Sequence, residues 1–195
     1  MLEFVEKAFP DFLKTYVSFP KNVMRADAFR YLVMYNTGGT YLDLDYEILK
    51  PFEFGIHKVV LPYNRQIIYG DKYDAIGNCF FASEPGHQSW FDAIEYLKLG
   101  LNSNFQKTNS YSTLEEETTG PAFLTRVFKQ KNYSDIYTPD RVVYHPKTPL
   151  NSKEKIKIVN NNVSLGIHHC AGSWRDKRNI RFFTMCKNAI KRILQ

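Results

Sequence analysis

Cysteine is scarce in this chain: three in 195 residues, Cys79, Cys170 and Cys186, with no C-x-x-C pair. That excludes a disulfide framework or a zinc ribbon as the basis of the fold. Runs of about eighteen consecutive apolar residues, the length of a membrane span, do not occur. No charged segment followed by an apolar run opens the chain, so neither a signal peptide nor a transmembrane helix is expected. The sequons Asn132-Tyr-Ser and Asn162-Val-Ser carry little weight without such a signal. Ten glycines and nine prolines are too few for a collagenous or linker-like chain. There is no internal repeat and no glycine-rich phosphate loop.

What is present suits a packed interior. Hydrophobic residues make up 44% of the chain, with fifteen Phe and thirteen Tyr, enough for one domain burying roughly 70% of its extended surface. Twenty-six Lys and Arg against twenty Asp and Glu give a net charge of +6. Residues 175–195 concentrate seven of those bases, Arg175, Lys177, Arg178, Arg181, Lys187, Lys191 and Arg192, against Asp176 alone. This segment reads as the solvated face of a basic C-terminal helix that could also touch an anionic membrane surface. No nucleic-acid-binding module is recognisable, so nucleic acid is not expected as a partner. A cytoplasmic or peripheral-membrane location is the expectation.

Residues 1–20 read as a short helix plus irregular chain. Apolar positions over 21–36 follow a helical period interrupted by Arg30, and Gly38-Gly39 supply the stop. Residues 40–49 alternate and are rich in β-branched and aromatic side chains, hence a strand. Further strands are expected at 58–63, 75–83, 136–137, 142–145, 156–159 and 164–170. Helices are expected at 87–99, from Gly120-Pro121 to about 131, and at 179–194. His87 and Trp90 read as helix-start and core residues. Residues 101–119, ten of nineteen being Ser, Thr or Asn, form a polar loop. Alternating strands and helices predict a single α/β domain over residues 1–195.

The chemistry concentrates in Gly38-Gly-Thr-Tyr-Leu-Asp-Leu-Asp-Tyr46. On a continuous strand Leu42, Leu44 and Tyr46 point one way and Asp43 and Asp45 the other. Two carboxylates on one face repel unless a cation lies between them. A hard divalent ion such as Mg²⁺ or Mn²⁺ meets that need and also binds phosphate oxygen. One helix earlier, Asp27 and Arg30 stand three apart and share a face. An arginine forks onto phosphate and a carboxylate accepts from sugar hydroxyls. The plainer alternative is a solvated strand end and an ordinary surface ion pair.

The run Arg25-Ala-Asp-Ala-Phe-Arg-Tyr through Gly38-Gly-Thr-Tyr-Leu-Asp-Leu-Asp-Tyr-Glu-Ile-Leu-Lys-Pro-Phe52 resembles the core of the family-32 glycosyltransferases, sugar transferases named for their DXD motif. Three later segments agree in order: Asn78-Cys-Phe-Phe-Ala-Ser-Glu-Pro-Gly-His-Gln-Ser-Trp90, Thr119-Gly-Pro-Ala-Phe-Leu-Thr125 and His168-His-Cys-Ala-Gly-Ser-Trp174. The resemblance implies a GT-A-like nucleotide-diphospho-sugar transferase fold using Mn²⁺ or Mg²⁺. It also implies a UDP- or GDP-hexose donor, mannose or galactose, transferred with retention to a glycan or glycolipid. Carried onto this chain, it makes Asp45 the principal metal ligand and Asp43 a ligand or ribose contact. Asp27 and Arg30 would hold the donor sugar, Gly120 would shape the pocket and Trp174 would close over the diphosphate. His169, in an H-x-x-G spacing with Gly172, is preferred over His168 as third metal ligand. Members of the family usually carry a strand-turn-helix unit ahead of the segment that opens here, so a shortened GT-A fold is expected. A degenerate relative that binds a glycan or a partner without turnover is the second reading.

Overall fold

The computed structural model describes residues 1–68, 71–100, 112–131, 133–144 and 161–169. The basic helix expected at 179–194, the strand at 156–159, Trp174 and residues 101–111 of the polar loop lie outside the described residues. Helices α1 (Leu2–Ala8), α2 (Leu13–Ser18) and α3 (Asn22–Thr37) open the chain, with a 3₁₀ turn at Pro10–Phe12 between the first two. Strands β1 (Gly39–Leu42), β2 (Tyr46–Ile48), β3 (Val59–Val60), β4 (Tyr63–Ile68), β5 (Asp71–Ile76) and β6 (Phe80–Ser83) follow. Then come α4 (Gln88–Leu99), α5 (Leu114–Thr118), α6 (Pro121–Gln130), β7 (Ile136–Tyr137), α7 (Arg141–Tyr144) and β8 (Gly166–His168). The architecture is mixed helix and sheet, as the sequence leads one to expect. No helix among the described residues is long and apolar enough to cross a membrane.

The central sheet runs β1-β6-β3-β7. β6 pairs antiparallel with β1 (Leu42 opposite Phe80) and with β3 (Val60 opposite Ala82), while β3 and β7 run parallel. Alternation along these short strands divides the interior. Phe81 and Val59 enter one core and Phe80 and Val60 the other, because successive side chains leave a strand on opposite faces. The first core is built around Tyr31 of α3, whose ring stacks on Trp90 of α4 at 5.9 Å and on Phe123 of α6 at 6.1 Å. The second gathers Phe80, Tyr46, Phe52 and Tyr144, with Phe80 and Tyr144 stacked at 4.7 Å. A sheet covered on both faces is the arrangement that α/β patterning foretells.

Several expected elements differ in detail. The opening twenty residues are helical, and Val5, Phe12 and Tyr16 are buried in the first core. The strand expected at 75–83 is broken from Gly77 to Cys79, where the Gly77 N–H turns to the Pro62 carbonyl. Residues 142–145, expected as a strand from their valines, begin in α7. The Asp140 carboxylate accepts from the Val142 N–H at 2.9 Å, and its carbonyl accepts from Val143 at 3.0 Å. That local cap outweighs β-branched propensity. Within the polar loop, α5 is nucleated by a reciprocal capping box between Thr113 and Glu116.

Gly38 joins α3 to β1. Its φ of +65° and ψ of −152° lie in a region that side chains avoid, and a Cβ there would stand 2.6 Å from Ser83 O and Pro85 N. Both the backbone conformation and the close approach demand glycine. Gly38→Ala is expected to destabilise the fold by roughly 1–3 kcal/mol, read as a lower urea midpoint at unchanged slope.

Candidate active site

The acidic pair does not sit on a continuous strand. β1 ends at Leu42, β2 begins at Tyr46, and the Tyr46 N–H donates to the Asp43 carbonyl at 3.0 Å. Residues Asp43, Leu44, Asp45 and Tyr46 therefore form a β-turn. The turn still brings both carboxylates together, but Leu44, expected to point the same way as Leu42 and Tyr46, is fully exposed at its tip. Propensity alone reads 40–49 as strand; the turn forms because β1 and β2 belong to different sheets. The Asp43 N–H, donating to the Cys79 carbonyl at 2.9 Å, fastens the start of the turn to the residue before β6.

β8 supplies the third group. It pairs antiparallel with β2, Tyr46 opposite His168. Gly166 makes this possible, because a Cβ there would lie 2.3 Å from the Tyr46 ring. His168 Nε2 stands 3.2 Å from Asp45 Oδ1 and 3.6 Å from Asp43 Oδ2. Ligand atoms of the three residues all lie within 4.8 Å of one another, and all three residues are half-buried. His169 is not with them. Its side chain leaves β8 on the other face, where Nε2 is 2.9 Å from Glu47 Oε2. The sequence reading preferred His169, but the register of β8 on β2 brings His168 to the aspartates.

Behind the turn lies a connected set of buried groups. Asp43 Oδ1 accepts from Arg30 Nη1 at 3.0 Å and from the Tyr41 hydroxyl at 2.7 Å. Burial raises the Tyr41 hydroxyl well above its ordinary range, so it remains a donor. The same Arg30 nitrogen donates to the Asn78 carbonyl at 2.7 Å, and the guanidinium lies 4.5 Å over the Tyr41 ring. Arg30 Nη2 is 3.2 Å from Asp27 Oδ1. Asp27 in turn accepts from Asn78 Nδ2 at 3.1 Å and from the Thr119 hydroxyl at 3.0 Å. Thr119 is fixed by the Tyr31 hydroxyl, which donates to its carbonyl at 2.5 Å. Gly120, next in the chain, caps α6 and passes so close to α5 that a Cβ would stand 2.9 Å from Glu116 Cα.

Asp27, Arg30, Asp43 and Asp45, chosen from the sequence, are thus brought into one region. Tyr41, Asn78, Thr119 and His168 complete it. Asn78 and Thr119 each open a segment whose resemblance was noted, yet nothing local in the sequence joins them to Asp27.

Two carboxylates and an imidazole suit a divalent ion by donor type. Ligand atoms about 2.1 Å from one ion and at right angles to each other lie about 3 Å apart, close to the 3.2 Å between His168 and Asp45. The residues fit such a group by donor type and spacing.

Burial pushes the Asp27 carboxyl up to about 6, against the pull of Arg30 and the Thr119 and Asn78 hydrogen bonds, with the charge of Asp43 adding to the rise. The folded chain therefore holds a proton that the unfolded chain releases near pH 4. The stability this group contributes is fully present below that pH and is lost as pH rises through about 6. Asp27→Asn is expected to flatten that part of the pH dependence of Tm, measured by thermal melts between pH 4 and 7.

Residues 1–67 match the family model described as a glycosyltransferase sugar-binding region containing a DXD motif. The chain is 31% identical over 130 residues to inositol phosphoceramide mannosyltransferase 1 of Schizosaccharomyces pombe, covering 66% of this chain and 37% of that one. To mannosyl phosphorylinositol ceramide synthase of Saccharomyces cerevisiae it is 30% identical over 132 residues, covering 66% and 31%. To the initiation-specific alpha-1,6-mannosyltransferase of Candida albicans it is 40% identical over 53 residues, covering 27% and 14%. Among solved structures, the PaToxG glycosyltransferase aligns over 64% of this chain and 41% of its own at 21% identity and TM-score 0.41. The chain spans little more than a third of the length of the first of these curated relatives. Residues 1–67 are thus similar to the DXD-motif sugar-binding region of glycosyltransferases, and the motif falls at Asp43-Leu44-Asp45 in the acidic turn.

Proposed function

We propose that this chain binds a nucleotide-diphospho-hexose through a divalent cation, Mn²⁺ or Mg²⁺, and transfers the hexose with retention to a glycolipid or glycan hydroxyl. The observation that carries the reading is the convergence of Asp43, Asp45 and His168 at one turn. The mannosyltransferase names of its relatives support mannose as the sugar and a glycolipid as the acceptor. A GT-A-like arrangement of the whole enzyme belongs to the same proposal.

Asp43, Asp45 and His168 would hold the ion, and the ion when bound would neutralise charge on the departing nucleoside diphosphate. The protein's own contribution is preorganisation. Arg30 and Tyr41 occupy Oδ1 of Asp43 and leave Oδ2 directed to the His168 side of the turn. That fixes the carboxylate before the donor arrives, so little reorganisation accompanies the reaction. Asp27 and Arg30 would face the donor sugar, Asp27 accepting from a hydroxyl as a carboxylate above its pKa of about 6. Thr119 and Asn78 keep its two oxygens in place.

Isothermal titration with UDP and GDP, with and without Mn²⁺, tests the reading. Metal-dependent binding is expected for one of them, and Asp45→Asn should weaken it tenfold or more while leaving the circular dichroism unchanged. Metal-independent or absent nucleotide binding would instead favour a relative without turnover. Asp27→Asn should weaken binding of the sugar nucleotide by about tenfold, as loss of one charged hydrogen bond would, and leave the free nucleoside diphosphate within about twofold. Equal losses for both ligands would show that Asp27 does not meet the sugar.

A further inference from the structure

His169 and Glu47 take no part in the proposed chemistry, yet they lie where that chemistry is most fragile. β8 has three residues, pairs with β2 alone among the described strands, and ends at His168. A two-stranded ribbon of this length has little stability of its own. The metal-side histidine is therefore the last paired residue of a short ribbon. Among the described residues, the next residue makes two contacts that tie this end to the acidic turn and to β2. The His169 N–H donates to the Asp45 carbonyl at 3.0 Å, and its imidazole Nε2 meets Glu47 Oε2 at 2.9 Å.

The pairing explains why Glu47 is the partner. Glu47 lies opposite Ile167, so its side chain shares the face from which Ile167 and His169 project, while His168 projects from the other. Glu47 and His169 form a diagonal cross-strand pair, a distance long side chains bridge readily. An imidazole bonded to a carboxylate is a charge-assisted contact, stronger than a neutral one. One face of the ribbon thus offers His168 to Asp43 and Asp45, and the opposite face carries a clasp that keeps the ribbon closed.

We infer that Glu47 and His169 form a clasp that positions His168 for the cation, acting as positioning residues and not as ligands. The inference rests on the metal reading above. Outer partners of metal ligands typically control affinity by ten- to a hundredfold, and here the control is exerted through the backbone between adjacent residues. His169 sits beside the histidine that binds, and a substitution of either histidine weakens the site for different reasons.

The test is Mn²⁺ affinity of the full chain without nucleotide, read from the free-ion electron paramagnetic resonance signal. Glu47→Ala and His169→Ala are each expected to weaken Mn²⁺ about tenfold. The double variant should lose little more than either single one, as expected of two residues in one interaction. Glu47→Gln removes the charge but keeps an oxygen that accepts from the imidazole, and should stay within about threefold of the unchanged chain. Equal losses for Glu47→Gln and Glu47→Ala would overturn the clasp, since long-range charge alone would then account for both. Undiminished affinity in Glu47→Ala and His169→Ala would overturn the clasp alone. An unchanged chain that binds no Mn²⁺ would overturn the metal reading and the clasp with it.

Discussion

A single buried guanidinium organises this molecule. Arg30 is almost wholly buried on α3 and touches Asp27, Asp43 and the Asn78 carbonyl at once. A charge removed from water is tolerated when it is paired and its donors are used. The pairing requires α3, the end of β1 and the residues before β6 to meet at fixed distances. The link from helix to sheet and the aim of the acidic turn are therefore one constraint. Tyr41 adds its ring beneath the guanidinium and its hydroxyl to the same carboxylate, so one side chain serves both partners.

Much of this was legible in the sequence, where the signal was periodic or local. Arg30 interrupts an otherwise apolar stripe, and its spacing from Asp27 marks a shared helix face. The stop at Gly38-Gly39, the helices after His87 and at Gly120-Pro121, and the buried strand around Phe80 and Phe81 follow from patterns a few residues long. The acidic pair was legible as chemistry, though its geometry was not. Alternation predicts a straight strand through Leu44, and only the division of β1 and β2 between two sheets turns the backbone there.

The remainder depends on contacts distant in sequence. The preference for His169 came from its spacing to Gly172, but which of two adjacent histidines faces the aspartates is fixed by the register of β8 on β2. A slip of one residue would exchange them. Asn78 and Thr119 are reached from Asp27 across 51 and 92 positions of chain, beyond any local pattern. The valines near 142 lie in a helical turn and not a strand, with Asp140, a capping residue, just ahead of them.

Gly166, opposite Ile48, lies diagonally from Tyr46 across the ribbon that carries His168, and its missing side chain leaves room for the Tyr46 ring. The thickness of one aromatic ring thereby sets how near the histidine strand can come to the acidic loop. The two positions form a spacer and its recess, so side-chain bulk gained at one must be given up at the other. In lineages derived from this chain, drift at either place is coupled to the other although neither residue belongs to the cluster of Asp43, Asp45 and His168.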